Sequence, residues 1–156
     1  MNIRAIVPLG AAAIVTALYL AGGGIASADP VSKDEAVAMV QKAVASIKSE
    51  GAEKAYAEIS NPSGKFVDRD LYIVVYGLDG LVLAHGANAS RVGTNQIDDK
   101  DPDGKAFVKE RVELAKQQPS FWQSYKFMNP VTKKVEPKQM YCERLDETAV
   151  CGGIYQ

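Results

Sequence analysis

The run Leu-Tyr-Ile-Val-Val-Tyr at residues 71–76 constrains this chain more than any other stretch. β-Branched and aromatic residues in unbroken succession are the strongest strand signal it contains. Asp79-Gly80 follows as a hairpin turn signal, and Leu81 to His85 reads as the return strand. Whatever surrounds this hairpin has to be compatible with a sheet.

The flanking segments supply helices and further strands. Ser32 with Glu35 three residues later is a capping box. Val37, Val40, Val44 and Ile47 then follow at helical spacing and predict a helix to about Ser49. Gly51 interrupts the pattern, and Ala52 to Ile59 resumes it as a second, short helix. Asn61-Pro62-Ser63-Gly64 is a turn. Gly86 to Lys100 has no clear period and reads as a loop. Lys105 to Lys116 carries Phe107, Val108, Val112 and Ala115 on one helical face, and Pro119 stops it. Phe121–Met128, Gln139–Leu145 and Thr148–Tyr155 read as three more strands. This order predicts an α+β domain, an antiparallel sheet with helices packed on it.

The first 28 residues stand apart from that fold. Asn2 and Arg4 form a short positive n-region, and Ile6 to Leu20 is apolar. Ala26-Ser27-Ala28 offers small residues where a signal peptidase reads, so the expectation is a signal peptide over 1–28 and a domain over 29–156. The rival is an uncleaved anchor, because no charge interrupts Ala5 to Ala28 and that length spans a bilayer. Either reading places the domain outside the cytoplasm, in the periplasm.

The cysteines fit that compartment. A hairpin turning at Asp146-Glu147 places Cys142 and Cys151 four residues out on either side, directly opposite one another. With a two-residue loop they fall on a non-hydrogen-bonded pair, with Cα atoms ~4.5 Å apart, within disulfide reach. An exported chain with two cysteines is the right setting for a structural disulfide. Composition excludes other classes. A formal charge of −1 gives no reason to expect nucleic acid as a partner. One His and two Cys exclude a zinc finger, a multi-His metal site and a c-type haem. No Ser or Cys nucleophile motif and no metal cluster appear, so no catalytic constellation and no cofactor are expected.

The hairpin Tyr72 to His85 resembles the central hairpin of Cache domains, the extracytoplasmic sensor modules of chemoreceptors and histidine kinases. Arg91-Val92-Gly93-Thr94-Asn95, Asp101-Pro102-Asp103-Gly104-Lys105, Trp122 with Tyr125, Asn129-Pro130-Val131-Thr132, Glu136-Pro137-Lys138 and Gly153-Ile154-Tyr155 extend the resemblance in order and spacing. It is similar to the single-Cache type over most of residues 35–156. The resemblance implies a long N-terminal helix on a five-stranded antiparallel PAS-like sheet, with a small pocket for short organic acids. Phe127 stands where the family often has Trp, and Gln139 where a small residue is common. A receptor of the family continues beyond its last strand into a membrane helix and an output domain. Here the sequence ends at Gln156, so the expectation is a free-standing exported form that hands its state to a membrane-bound receptor or transporter.

Ligand contacts follow from charge. A carboxylate in an apolar pocket needs a cation or several donors. Lys138 matches the family position expected to meet it, with Tyr141 nearby on the opposite strand face. His85, where the chain leaves the sheet, and Arg91, in the following loop, are further donors. Trp122 and Tyr125 lie on opposite faces of one strand by strict alternation, so at most one lines the pocket. Tyr76 shares a face with Tyr72 and is a candidate wall.

Two other readings stay open. Asp99, Asp101, Asp103 and Glu110 fit the D-x-D-x-D-G-x₅-E calcium-loop template, but no entering helix precedes Asp99. Asp101 or Asp103 also suffices as a helix N-cap and dipole partner, and that is the favoured reading of the two. The domain could also be an envelope interaction module whose pocket has degenerated. The preferred expectation is an exported, non-enzymatic, small-molecule-binding domain.

Overall fold

A computed structural model describes residues 29–156. The signal-peptide reading of 1–28 lies outside the described residues. The chain begins with the capping box: Glu35 N–H donates to Ser32 Oγ, and Ser32 N–H donates to the Glu35 carboxylate at 2.7 Å. These bonds satisfy amide donors that a helix start leaves open. Helix α1 (Lys33–Glu50) buries Ala36, Val40, Ala43, Val44 and Ile47. Val37 of the predicted stripe is only half-buried, and Ala36 takes its place. Gly51 adopts φ 85°, a left-handed conformation that glycine reaches without strain, and turns the chain into α2 (Ala52–Ile59).

The strands are β1 (Val67–Asp68), β2 (Leu71–Gly77), β3 (Val82–His85), β4 (Ser120–Met128), β5 (Val135–Leu145) and β6 (Thr148–Tyr155). They form one antiparallel sheet in the order β1-β2-β6-β5-β4, with β3 also pairing β2. β1 pairs with residues 71–72 of β2 and β3 with residues 74–76. The two short strands therefore lie end to end beside β2, and six strands occupy the width of the expected five. β1 carries only two residues, too few for a period to register. β5 starts four residues before the expected Gln139. Pro137, which has no N–H for a ladder, lies inside the strand as it is found. Val135 and Glu136 pair only with β4; the β6 ladder begins at Lys138–Tyr155, and just beyond it Gln156 N–H donates to the Pro137 carbonyl at 3.0 Å.

β2 is buried along its whole length, because both faces of the sheet are covered there. On one face α1 and α2 pack Val40, Ala43, Val44, Ile47 and Ile59 against Ile73, Val75 and Val150. On the other, α3 (Phe107–Gln117) packs Phe107, Val108 and Ala115 against Tyr72, Val74, Tyr76, Phe121, Tyr125 and Met140. The Cys142–Cys151 disulfide belongs to this second face, joining residues directly opposite in the β5–β6 ladder with Cα atoms 4.1 Å apart. Between β3 and α3 the chain runs as a loop with one short 3₁₀ turn at Ala89–Arg91. Asp101 ties this loop down: Oδ1 accepts from the backbone of Asp103 and Lys105, and Oδ2 from Lys126 of β4.

Candidate functional site

Period-two alternation puts Lys138, Met140 and Cys142 of β5 on the α3 side of the sheet. Lys138 is therefore drawn into the core, 1% exposed. Its Nζ donates to Tyr155 Oη at 3.2 Å and lies 4.0 Å from the Tyr72 ring centroid and 4.4 Å from that of Tyr155. Tyr155 Oη in turn donates to the Met128 carbonyl at 2.9 Å, so Tyr72 Oη, 3.3 Å away, donates to Tyr155. Gly153 on the neighbouring strand makes this placement feasible. A Cβ there would stand 2.9 Å from Lys138 Cε and 2.7 Å from the Gln139 carbonyl oxygen. Burial pushes the Lys138 ammonium well below its ordinary range; the charge of Arg111 acts in the same direction and that of Asp70 opposes it.

A cavity of about 240 Å³ opens beside this cluster. His85, Tyr72, Arg91 and Phe127 line it, with Asn88 and Lys133 toward its rim. Among the described residues, no Asp or Glu contributes to its wall. His85 is 3% exposed and stacks on Tyr72 with ring centroids 5.1 Å apart. Its Nδ1 accepts from the backbone N–H groups of Ala87 at 3.3 Å and Asn88 at 3.0 Å. The ring proton therefore sits on Nε2, where it is available to donate. Burial, then the Lys138 and Arg91 charges, push its pKa down to about 3, so the imidazole is neutral at physiological pH. Arg91 stacks over Phe127 at 5.2 Å, donates to Gln96 Oε1 at 3.0 Å and faces Asp99 at 3.7 Å.

The structure gathers some of the sequence-derived candidates and separates others. His85 and Arg91 line the cavity, Lys138 lies behind its wall against Tyr72, and Tyr76 and Tyr125 lie buried on the same side of the sheet. Trp122 and Tyr141 do not join them. They pair across β4 and β5 on the opposite face, with ring centroids 5.3 Å apart, beside α1. Trp122 is 37% exposed with Lys33 over its ring, and Tyr141 donates to Glu143. The sheet itself stands between both residues and the cavity.

The calcium-like spacing does not gather its carboxylates. Asp101 accepts three backbone N–H groups, Asp103 pairs with Lys126, and Glu110 pairs with Lys105 while accepting from Gln123. Among the described residues no group of three or more His, Cys, Asp or Glu is arranged to hold a metal. Neither aspartate caps α3, whose N-cap is Ala106.

Sequence reading passed over one residue at this site, Arg111. It is 0% exposed in the centre of the α3 stripe. Its Nε donates to Gln123 Oε1 at 3.1 Å, and neither terminal nitrogen has a hydrogen-bond partner among the described residues. Tyr76, Phe107 and Tyr125 surround the guanidinium, with ring centroids 5.0, 5.5 and 5.1 Å away. The signal was present: Arg111 stands four residues from both Phe107 and Ala115, inside the apolar face.

A long N-terminal helix on one face of an antiparallel sheet, and a loop-covered cavity on the other, define a PAS-like α+β domain. The model of the family Single Cache domain 2 matches residues 26–151. The chain belongs to that family, whose members are sensory ligand-binding modules rather than enzymes. Solved structures agree on the fold. A methyl-accepting chemotaxis protein from Vibrio parahaemolyticus superposes with TM-score 0.68 at 22% identity, covering 79% of this chain and 87% of that one. A Cache chemosensory domain, solved to explain its carboxylic acid recognition, gives 0.66 at 21%, covering 78% and 91%. The periplasmic sensor domain of a chemotaxis protein gives 0.63 at 20%, covering 78% and 88%. Among curated proteins, no sequence matches this one. No helix of the described residues is long and apolar enough to cross a membrane.

Proposed function

We propose that this domain binds a short-chain carboxylate in the cavity beside Lys138. One observation carries the reading: a lysine 1% exposed whose hydrogen-bond partner among the described residues is a neutral hydroxyl. Such burial is costly unless an anion compensates it. A ligand carboxylate supplies that anion. His85 Nε2–H and Arg91 add donors at the wall, Tyr72 and Phe127 pack the aliphatic part, and Tyr76 and Tyr125 close the core behind them. Trp122 and Tyr141 have no place in this site. The carboxylic acid recognition of one structural neighbour agrees with this chemistry.

The same reading has the domain exported into the periplasm, with residues 1–28 acting as a signal peptide cleaved after Ala28. The disulfide and the extracytoplasmic setting of the family support this. There the domain senses its ligand and passes its state to a membrane-bound receptor or transporter. The test is thermal unfolding against a panel of acetate, propionate, lactate and pyruvate. A saturable rise in Tm with at least one acid is expected. Flat curves throughout, at concentrations up to several millimolar, would contradict the reading.

A further inference from the structure

Three of the large apolar side chains that stand exposed among the described residues belong to one short segment. Met128 (47%), Val131 (63%) and Val135 (48%) all lie on the β4–β5 hairpin. Met128 and Val135 are opposite one another at the end of the ladder, and Val131 stands on the turn between them. Lys133 and Lys134 are exposed beside them. Single apolar residues on a surface need no explanation, but a cluster at one hairpin tip does.

The turn is held in shape by its own polar groups. Asn129 is 2% exposed, and its Oδ1 accepts from the backbone N–H of Val131 at 2.8 Å and of Thr132 at 3.3 Å. Its Nδ2 donates to Asp70 at 3.1 Å and to Glu136 at 2.7 Å, and Thr132 Oγ1 donates to Glu136 at 2.6 Å. Lys133 donates its N–H to the Asn129 carbonyl at 3.0 Å and adopts φ 59°, a left-handed conformation uncommon outside glycine. Asp70 and Glu136 are thus committed to the turn itself. Among the described residues no acid pairs with Lys133 or Lys134.

The same hairpin adjoins the place where residues 1–28 meet the domain. A groove of about 320 Å³ is shared by Asp29, Pro30 and Val31 with Val131 and Thr132. The uncharged run Ala5 to Ala28 leads into it. As a signal peptide or as an anchor, that run brings this end of the domain to a bilayer. Composition also favours lipid over protein as the occupant. Protein interfaces centre on Trp, Tyr and Arg, are poor in Lys, and bury far more area than one hairpin tip offers. Aliphatic side chains flanked by lysines suit a headgroup region, where the apolar ends sink and the ammonium groups meet anionic lipid.

We propose that the β4–β5 hairpin is a membrane-contact element, in which Met128, Val131 and Val135 enter the bilayer interface and Lys133 and Lys134 bind anionic headgroups. This goes beyond the carboxylate reading and does not depend on it. Met128 and Lys133 also border the cavity at His85, so the docked hairpin sets that cavity beside the membrane.

The test places a nitrobenzoxadiazole probe on the chain as exported, at Val131→Cys and, for comparison, at Glu53→Cys. Cys142 and Cys151 are bonded to each other and buried, so the label goes to the new thiol. Glu53 is exposed on α2, beyond the far end of α1, whose 18 residues span about 27 Å. With vesicles of phosphatidylethanolamine and phosphatidylglycerol, the probe at 131 is expected to brighten and shift to the blue, and the probe at 53 to stay as in buffer. Lys133→Gln with Lys134→Gln is expected to raise the lipid concentration for half the response about 10- to 30-fold, roughly 5-fold for each charge. Vesicles of phosphatidylcholine alone are expected to act like that variant. Should the label at 131 disturb the turn, the same probe at Val135→Cys reads the same contact. A silent probe on the hairpin, or an equal response at 53, would overturn the proposal. So would a midpoint unchanged in the double lysine variant, or a response that appears only with envelope proteins in the vesicles, which would make the occupant a protein.

Discussion

The two faces of the sheet are built from different chemistry. The α1/α2 face is aliphatic: Val40, Ala43, Val44 and Ile47 meet Ile73, Val75 and Val150, and among the described residues no charged residue is fully buried there. The α3 face is aromatic and polar: Tyr72, Tyr76, Tyr125 and Phe107 surround Lys138, Arg111 and His85. Hydrophobic burial accounts for the first arrangement by itself. It does not account for the second, since each buried cation works against folding. Both faces bury apolar residues, and the α3 face buries cations besides, as expected if a site there is to receive an anion.

The largest expected effect falls on the aliphatic face. Ile73→Ala removes a fully buried side chain and is expected to cost about 2 to 5 kcal/mol, leaving ligand affinity unchanged. Denaturant unfolding with and without acid checks both halves; a change in affinity would blur the division between faces. Next comes the disulfide. Replacing Cys142 and Cys151 together by Ala is expected to cost about 2 to 3 kcal/mol, since the loop it closes is short. Equal midpoints in reducing and oxidising buffer would contradict that.

A smaller effect, read per pH unit, belongs to the polar face. The folded pKa of His85, about 3, lies below its ordinary 6.5. The unfolded chain therefore binds more protons between those values, and stability contributed by the neutral imidazole is lost as pH falls through that window. The slope is at most about 1.4 kcal/mol per pH unit, and His85→Gln is expected to flatten it. The smallest effect is at the capping box, where Ser32→Ala is expected to cost about 1 kcal/mol by leaving the Glu35 amide unsatisfied.

The sequence carried the fold further than the site. Strand β6 and the disulfide register were legible because turn geometry and period-two pairing determine both. The split edge was not: β1 has two residues, and its pairing is set by β2 rather than by its own pattern. The start of β5 was hidden because Pro137 argues against a ladder, yet its pairing with Lys126 of β4 continues and its carbonyl still accepts from Gln156 N–H. At the site, alternation correctly separated Trp122 from Tyr125, but which face held the cavity depended on where α3 packs. That choice also put Tyr141 on the α1 side. Arg111 was hidden in plain sight, because a charge inside an apolar stripe reads as a break in the pattern unless its burial is known.

The central claim is that Lys138 is buried for the sake of a carboxylate and not for the sake of the fold. Thermal unfolding of Lys138→Met, with and without an acid that raises the Tm of the parent chain, tests it most directly. Methionine fills similar space and removes a buried cation, and Tyr155 keeps its bond to Met128. The variant is expected to melt at least as high as the parent without acid and to gain nothing when acid is added. A variant that melts lower but keeps the full acid-induced rise would contradict the account.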